Sequence, residues 1–387
     1  MKVAFDLYGA EPAKNGVMNH GGGEYIKTVF DYFYNHKNNV MLSAIVSGND
    51  TNILKFLEKY DVVIYKCPDS KSFQSTLDTE KFDTLYCGLY VDQYNGINVP
   101  NKTKFIITEH GLRGIEVKFD NYFLKTEKKK KKNFIKMVYS KFLPKSYLKC
   151  KVKKYLPEFK IKNDMHVVTV SNHSKYSIQY FYPKVKDILV AYSPMKLING
   201  SIDEKLLEQV GVEKGKYILM INANRGEKNC LRALVALDDL ASKSMLPKDF
   251  KVVMTGVTYD NPFKKYRNIQ VLKLGYVDSV LLETLYANAH LFLYPTINEG
   301  FGYPPLEAMK YGTLVATSAI CSVPEVCGDS VLYFNPYDIK EIENRILQSF
   351  DAEIRKHYIS KIEDRLNYIN NEQEKGLIRL TKFIIGE

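Results

Sequence analysis

Two glutamates, Glu299 and Glu307, lie eight residues apart in the stretch NEGFGYPPLEAMKYG, which covers residues 298–312. Glycines, aromatic residues and two consecutive prolines stand between them. Carboxylates repel phosphate, but they accept hydrogen bonds from hydroxyl groups. A loop with a carboxylate on each side therefore suits a ligand that carries hydroxyl groups on both sides of an anionic centre.

The residues around this loop predict a strand, a turn and a helix. The apolar run HLFLYPT precedes the loop, and Pro305 suits the first turn of a helix, where a missing N–H costs no hydrogen bond. Gly300 and Gly302 allow the backbone to approach a ligand closely. The N–H groups at a helix start attract anions, and in a parallel sheet that point lies at the ligand-binding edge. The predicted ligand is a nucleotide sugar, with its diphosphate at the loop.

Each glutamate taken alone also has an ordinary structural explanation. Glu307 would stabilise the first turn of the helix, and Glu299 would be a solvated loop residue. The two do not form a glycosidase pair, because nothing at this spacing fixes their carboxyl groups on opposite faces of a bond. The functional interpretation rests on the whole stretch.

Apolar runs alternate with helical segments along the 387 residues, which predicts an α/β fold with mainly parallel sheets. A polar stretch with Pro194 and Gly200 separates two such series. We predict two tandem Rossmann-like, doubly wound domains: an N-terminal acceptor domain, residues 1–195, and a nucleotide-sugar-binding domain, residues 196–365. A C-terminal helix, residues 366–387, is expected to pack back on the N-terminal domain.

The string E-G-F-G-x-P-x-x-E-A-M, with a later glycine and PEV at residues 324–326, resembles the retaining GT-B glycosyltransferases of group 1. The resemblance is continuous over residues 216–338 and weaker in GGGEYI, ITEHGL and VVTVSNHSK. It implies the GT-B architecture, with two domains facing each other across a cleft. It also implies a retaining hexosyltransferase that uses a nucleotide-diphosphate sugar as donor.

The resemblance assigns a role to each residue of the loop. In that family the first glutamate contacts the donor sugar and the second contacts the ribose, which correspond to Glu299 and Glu307. Backbone amides between the two glutamates bind the sugar and the phosphate. The matching donor-binding residues are Gly300, Phe301, Gly302 and Tyr303.

A basic pair after the first strand of the second domain neutralises the diphosphate in that family. Arg225 and Lys228 in NANRGEKN fit this role, although many members carry the arginine several residues earlier, where this chain has Asn222. Asn229 is assigned to the same donor site. A short charged turn is the structural alternative for this segment.

The N-terminal half contributes further candidates. His110, at the end of ITEH, matches the family histidine that points at the donor sugar, but Gly111 follows where the family often has aspartate. Gly22 and Gly23 would bring the backbone close to phosphate or acceptor. A structural histidine and a flexible turn are the alternatives. Together with Glu299, Arg225 and Lys228, His110 completes the predicted catalytic set.

The chemistry implied by the resemblance needs no cofactor. The departing phosphate itself helps to deprotonate the acceptor in retaining members, and positive charge stabilises the leaving group. No metal is predicted, because no Asp-x-Asp stands at a strand end and Arg225 and Lys228 serve the phosphates. The amino-acid sequence of the loop favours a GDP-mannose-like donor, with UDP-sugars next. The expected acceptor is a glycan or a lipid-linked molecule in surface polysaccharide or glycolipid assembly.

A lysine-rich segment covers residues 125–160, within the predicted N-terminal domain. It holds fourteen lysines against two glutamates, which exceeds the net charge of +11 of the whole chain. Apolar residues interleave with the charges, which predicts a basic amphipathic surface attracted to anionic lipid by about 1 kcal/mol per lysine. We expect a peripheral enzyme at the inner face of the cytoplasmic membrane. The membrane patch centres on Lys128, Lys129, Lys130, Lys131 and Lys132.

Other features also favour a cytoplasmic location. The N-terminus carries Asp6 and Glu11 where a signal peptide needs an apolar core, and no apolar run approaches the roughly 20 residues of a membrane span. Six cysteines without a C-x-x-C pair fit free thiols.

Two rival functions remain open at the sequence level. The first is a basic RNA- or membrane-binding protein on a GT-B-like scaffold without transferase activity, since a pI of about 9.0 with interleaved aromatics also suits RNA. It leaves the glutamate pair unexplained, and no RRM, KH or zinc signature is present, so nucleic acid is not expected as a partner. The second is a sugar-nucleotide hydrolase or epimerase, which the fold alone does not exclude.

Overall fold

The computed structural model describes residues 1–11, 21–37, 39–90, 96–118, 120–126, 130–159, 165–195, 201–258 and 266–387. These residues form two compact α/β units. The first unit comprises Met1–Leu112, Cys150–Lys196 and Asn370–Glu387, and the second comprises Arg113–Lys149 and Leu197–Ile369.

All strand pairs recorded in the described residues are parallel. The strands are β1 (Lys2–Asp6), β2 (Met41–Val46), β3 (Val63–Lys66), β4 (Thr84–Cys87), β5 (Lys104–Glu109), β6 (Met165–Thr169), β7 (Ile188–Val190), β8 (Tyr217–Met220), β9 (Lys251–Met254), β10 (Gln270–Lys273), β11 (Leu291–Tyr294), β12 (Val315–Ser318) and β13 (Leu332–Phe334).

Helices alternate with these strands along the chain. They are α1 (Gly21–His36), α2 (Thr51–Leu57), α3 (Ser70–Glu80), α4 (Arg113–Glu116), α5 (Asn121–Thr126), α6 (Lys130–Phe142), α7 (Pro144–Phe159), α8 (Asn172–Phe181), α9 (Lys205–Gln209), α10 (Cys230–Ser242), α11 (Ser279–Asn288), α12 (Tyr303–Lys310), α13 (Val323–Cys327), α14 (Ile339–Gln348), α15 (Ala352–Ile359) and α16 (Ile362–Ile385). Short 3-10 helices cover Tyr8–Ala10 and Gly226–Lys228. The predicted α/β fold with parallel sheets is confirmed.

The first unit contains a seven-stranded sheet in the order β3-β2-β1-β4-β5-β6-β7. The interior strand β1 is buried on both faces, which explains why it reads as a nearly continuous apolar run. Phe5 packs against Phe30 and Phe33 of α1, with ring centroids 5.4 and 5.0 Å apart. The strand order reverses between β1 and β4, and the carboxyl edge at such a point is where ligands bind in this class of sheet.

The last part of α16, from Asn370 onward, belongs to the first unit. Gln373 Nε2 donates to the carbonyl of Ser193 at 2.6 Å, and Thr84 Oγ1 donates to the carbonyl of Ile384 at 3.0 Å. Gly376 allows a close approach, because a Cβ there would lie 3.0 Å from the amide nitrogen of Tyr192. These contacts fasten the C-terminal turns to the first unit.

The second unit contains a six-stranded sheet in the order β10-β9-β8-β11-β12-β13. Leu234 and Leu237 of α10 are fully buried in the same apolar cluster as Ile218 of β8 and Val252 of β9. The strand order reverses between β8 and β11. The segments that follow these two strands carry NANRGEKN and NEGFGYPPLE, so the topology brings the two motifs to one edge of the sheet.

Residues 113–149 pack with the second unit, whereas the sequence-based division places them in the N-terminal domain. Arg232 of α10, which is buried, forms an ion pair with Asp120 just before α5. The ring of Phe123 and the Thr126 hydroxyl lie against Gly226, where a Cβ would be only 3.0 and 2.8 Å away from them. The ion pair of Arg232 with Asp120 and the absence of a side chain at Gly226 together explain why this segment packs with the second unit.

The predicted membrane patch is described only in part. Lys128 and Lys129 lie outside the described residues, and Lys130, Lys131 and Lys132 form the start of α6, with their side chains not described. No helix in the described part of the chain is long and apolar enough to cross a membrane.

Candidate functional site

The stretch around Glu299 has the predicted strand–loop–helix arrangement, running from β11 to α12. Gly302 caps the helix with φ of 109°, a conformation that L side chains rarely adopt. Pro304 and Pro305 lie in the first turn, where they cost no hydrogen bond. The buried Ser322 hydroxyl contacts the carbonyl oxygens of Glu299 and Phe301, at 3.0 and 2.8 Å, and so holds the loop in place.

Glu299 is a buried carboxylate with three donors on one oxygen. Its Oε1 accepts from Lys228 Nζ at 2.5 Å, from the Tyr294 hydroxyl at 2.5 Å and from Thr296 Oγ1 at 2.9 Å. Burial alone would raise the pKa of Glu299, but the charge of Lys228 and these hydrogen bonds outweigh it and lower the pKa. The carboxylate is therefore ionised at neutral pH.

Lys228 lies in the 3-10 helix that follows β8, and its side chain is only 5% exposed. Its ammonium group contacts both Glu299 and the Tyr294 hydroxyl, which is 2.5 Å away. Burial and the neighbouring charge of Glu299 raise the pKa of Tyr294 well above its ordinary value, so the hydroxyl keeps its proton. Two predicted catalytic residues, Lys228 and Glu299, are thus in direct contact in the structure. Both also contact Tyr294, a tyrosine that was predicted only as part of a strand.

Arg225 contacts a different carboxylate, that of Glu227. Its Nε and Nη2 lie 2.7 and 2.5 Å from Glu227 Oε1, and Arg113 Nη1 lies 2.7 Å from the same oxygen. Burial would raise the pKa of Glu227, but the charges of Arg225, Arg113 and Lys228 hold it at about 2. Neither Glu227 nor Arg113 was a candidate from the sequence, although the alternating charges of RGEK already suggest an internal ion pair.

Glu307 lies on α12, where its Oε2 accepts a hydrogen bond of 3.0 Å from the Tyr286 hydroxyl. Burial first, and then the charge of Glu307, raise the pKa of Tyr286 well above its ordinary value. This contact anchors the glutamate to α11. The predicted contact with a ribose stays a prediction.

Asn229 has a positioning role in the structure. Its Nδ2 donates to the carbonyls of Pro295 and Pro336, at 3.0 and 2.8 Å, and its Oδ1 accepts from Arg232 Nη1 at 2.6 Å. The side chain therefore ties the end of the 3-10 helix to the loops that follow β11 and β13. Its predicted contact with the donor stays a prediction.

The remaining predicted residues belong to the first unit. His110 follows β5; its Nε2 lies 2.8 Å from the carbonyl of Gly88, and its ring meets the Tyr25 ring edge-on at 4.7 Å. Gly22 and Gly23 were expected in a loop, but α1 already begins at Gly21.

Comparison with known proteins finds a matching family model and similar sequences. Residues 203–372 match the family model described as glycosyl transferases group 1. A stretch of 76 residues is 50% identical to O-antigen chain mannosyltransferase B of Escherichia coli, over 20% of each chain. Over 211 residues the chain is 29% identical to O-antigen chain mannosyltransferase RfbU of Salmonella typhimurium, covering 53% of this chain and 56% of that protein. The matches thus span about half or less of these relatives.

The fold has close counterparts among solved structures. A glycosyltransferase from Rickettsia africae ESF-5 aligns with a TM-score of 0.62 at 16% identity, covering 99% of this chain and 98% of that one. At this identity the likeness shows the fold alone. Together with the two parallel sheets it confirms the predicted two-domain α/β architecture of the GT-B type.

Proposed function

We propose that this protein is a retaining glycosyltransferase that moves a hexose from a nucleotide-diphosphate sugar to a glycan or lipid-linked acceptor. The matched family and the two O-antigen mannosyltransferases support transfer in surface polysaccharide or glycolipid assembly, with a GDP-mannose-like donor first and UDP-sugars next. The observation that carries the proposal is the buried Lys228–Glu299 pair beside the start of α12. It places a fixed carboxylate next to a helix N-terminus, which suits a sugar joined to an anion.

In this proposal each part of the second unit contacts one part of the donor. Glu299 accepts hydrogen bonds from sugar hydroxyls, and Glu307 accepts them from the ribose. The backbone amides of Gly300 to Tyr303, with the positive end of the α12 dipole, bind the diphosphate. Arg225 and Lys228 add positive charge. His110, which belongs to the first unit, stays a proposed catalytic residue.

Charge development explains how these residues accelerate transfer. When the bond between the sugar and the diphosphate breaks, the electron pair goes to the departing phosphate oxygen. Positive groups already in place stabilise that charge without reorganisation. The acceptor oxygen attacks the same face, and its proton passes to the departing phosphate, so no protein base is required. We propose that the reaction needs neither cofactor nor metal.

We further propose that the protein works at an anionic membrane surface on the cytoplasmic side. Helix α6 exposes the apolar side chains of Phe134 at 54%, Ile135 at 67% and Phe142 at 72%, and Leu143, which follows it, is 57% exposed. Exposed lysines, among them Lys141 of α6 and Lys145 of α7, lie in the same stretch. An apolar row beside cations matches an anionic bilayer, which offers lipid tails and headgroup charge together.

The transfer proposal is tested by incubating the protein with GDP-mannose, UDP-glucose and UDP-galactose, with and without membrane extract as acceptor source. Nucleoside diphosphate release that depends on the acceptor, and that Glu299→Gln abolishes, is the expected result. Glu353→Gln removes an exposed glutamate of the same unit and serves as the control. Equal release without acceptor would indicate a hydrolase, and no release from any donor would contradict the proposal.

The membrane proposal has its own test. Flotation with vesicles containing anionic lipid should carry the wild type upward at physiological salt, and a Phe134→Ser/Phe142→Ser variant should float less. Binding to RNA in a filter assay, without binding to vesicles, would favour the non-transferase alternative.

A further inference from the structure

Two arginines of the second unit meet on one carboxylate oxygen. Arg113 Nη1 and Arg225 Nε each lie 2.7 Å from Glu227 Oε1. The arginine side chains are 54% and 46% exposed, whereas that of Glu227 is 12% exposed. The carboxylate is therefore the more buried member of the cluster, and the two arginine side chains are each about half exposed.

The charges of this cluster leave it positive. Two guanidinium groups share one carboxylate, which stays ionised because the pKa of Glu227 is held at about 2 by the two arginines and Lys228 against the effect of burial. Each guanidinium group has five N–H donors in a planar fork. In the described part of the chain, Glu227 is the only side chain that Arg113 or Arg225 contacts through a hydrogen bond. Most of the donors therefore remain available for an anion.

Glu227 is fixed to the loop of the candidate site. The carbonyl of Glu227 accepts hydrogen bonds from the amide of Ile297, at 2.8 Å, and from Thr296 Oγ1, at 3.2 Å. One turn of α4 beyond Arg113, Glu116 Oε2 accepts from Asn298 Nδ2 at 2.7 Å. The arginine pair is thus held directly beside the residues that lead into Glu299.

Lys228 differs from these arginines in its surroundings. Its side chain is only 5% exposed, and its ammonium group is already paired with Glu299. The two arginine side chains, each about half exposed, are more accessible to an incoming anion than Lys228. Their planar forks match phosphate oxygens in bidentate geometry.

We propose that Arg113 and Arg225 together bind the diphosphate of the donor, and that Glu227 is the positioning residue that holds them side by side. The inference rests on the proposed function, because it names the groups of that same site that contact the leaving diphosphate. Arg113, which precedes Glu227 by 114 residues, becomes a donor-binding residue. Two planar guanidinium groups held on one carboxylate suit a ligand with two phosphoryl groups.

The test compares nucleotides that differ by one phosphate. Dissociation constants of UDP, GDP, UMP and GMP are measured by calorimetry for the wild type, Arg113→Ala, Arg113→Lys and Arg267→Ala. The last variant removes an exposed arginine of the same unit and controls for net charge. For the preferred diphosphate we expect Arg113→Ala to weaken binding about tenfold, Arg113→Lys to weaken it less, and Arg267→Ala to leave it unchanged. The matching monophosphate should lose less affinity than the diphosphate.

The possible outcomes distinguish a failure of this inference about Arg113 from a failure of the proposed transferase function. Unchanged diphosphate binding in Arg113→Ala, in a protein whose wild type binds and turns over donor, overturns the role of Arg113 alone. Equal losses for monophosphate and diphosphate would show a merely structural role and overturn it too. A wild type that binds none of the four nucleotides would count against the proposed function itself. Arg113→Lys keeps the test decisive if Arg113→Ala does not fold.

Discussion

The ammonium group of Lys228 lies 2.5 Å from Oε1 of Glu299, in a site where both side chains are largely buried. The lysine comes from the 3-10 helix after β8 and the glutamate from the loop after β11, 71 positions later. Two strands that are neighbours in the sheet therefore bring together two motifs that are distant in sequence. Because the ion pair joins Lys228 to the loop after β11, a change in the structure of this loop also changes the charge balance of the site.

Breaking this pair is expected to cost both stability and activity. Glu299→Gln leaves the Lys228 charge buried without its carboxylate, which should lower the free energy of unfolding by about 3 kcal/mol. We also expect kcat to fall at least about 100-fold, because the fixed carboxylate is lost. Urea unfolding and a donor-turnover assay measure the two effects. The double variant Lys228→Met/Glu299→Gln should recover part of the stability and none of the activity. A single variant as stable as the wild type would contradict the coupling.

The Tyr294 hydroxyl offers a smaller change at the same site. Tyr294→Phe removes one donor to Glu299 and one contact of Lys228 while keeping the buried ring. Because hydrogen bonds to charged groups contribute about 1.5–3 kcal/mol, we expect a stability loss of about 2 kcal/mol and a lower kcat. Tyr217→Phe is the matched control, since its buried hydroxyl donates to the carbonyl of Leu285. It should lose stability without losing kcat, and equal kcat losses in both variants would refute a specific role for Tyr294.

Local pattern was enough to predict most of the fold. The sequence has apolar runs at residues 40–47, 62–65 and 84–90, and these overlap strands β2, β3 and β4 with boundaries that differ by a few residues. A buried parallel strand such as β4 leaves this signal because both of its faces must be apolar. The prolines of NEGFGYPPLE likewise indicated where α12 begins.

The contacts of residues 113–149 could not be predicted in this way. Their attachment to the second unit depends on Asp120 pairing with Arg232 and on Arg113 pairing with Glu227, more than a hundred positions away in each case. Charged residues at such separations have no periodicity that would reveal a partner. The same reason hid the pairing of Arg113 with Glu227, although Glu299 and Lys228 were named from the sequence.

Glu227 should make the stability of the protein sensitive to acid. Its pKa is about 2 in the folded protein, against an ordinary value of 4.5, because Arg225, Arg113 and Lys228 outweigh burial. The folded state therefore binds this proton less tightly than the unfolded chain. The stabilisation is fully present above about pH 4.5 and is lost as the pH falls toward 2.

Comparison of wild type with Glu227→Gln isolates this effect. Between pH 5 and pH 3 the wild type should lose about 2 kcal/mol more unfolding free energy than the variant. Urea unfolding at both pH values measures the difference, and Glu353→Gln, which removes an exposed carboxylate, should follow the wild type. If the unfolding free energy changed equally with pH in the wild type and in Glu227→Gln, the ion pairs would not lower the pKa of Glu227.

A substitution at Gly226 tests whether the packing of α5 against the 3-10 helix Gly226–Lys228 supports the candidate donor site. A Cβ there would lie 2.8 Å from Thr126 Oγ1 and 3.0 Å from the Phe123 ring, so Gly226→Ala forces α5 and the 3-10 helix apart. We expect a stability loss of about 2 kcal/mol and weaker binding of nucleoside diphosphate, because the neighbouring Glu227 carries Arg113 and Arg225. Urea unfolding and calorimetry measure the two effects. Gly275→Ala is the control, since among the described residues other than its chain neighbours no atom lies within 4 Å of its added Cβ. If Gly226→Ala behaved like Gly275→Ala, α5 would not support the arginine pair.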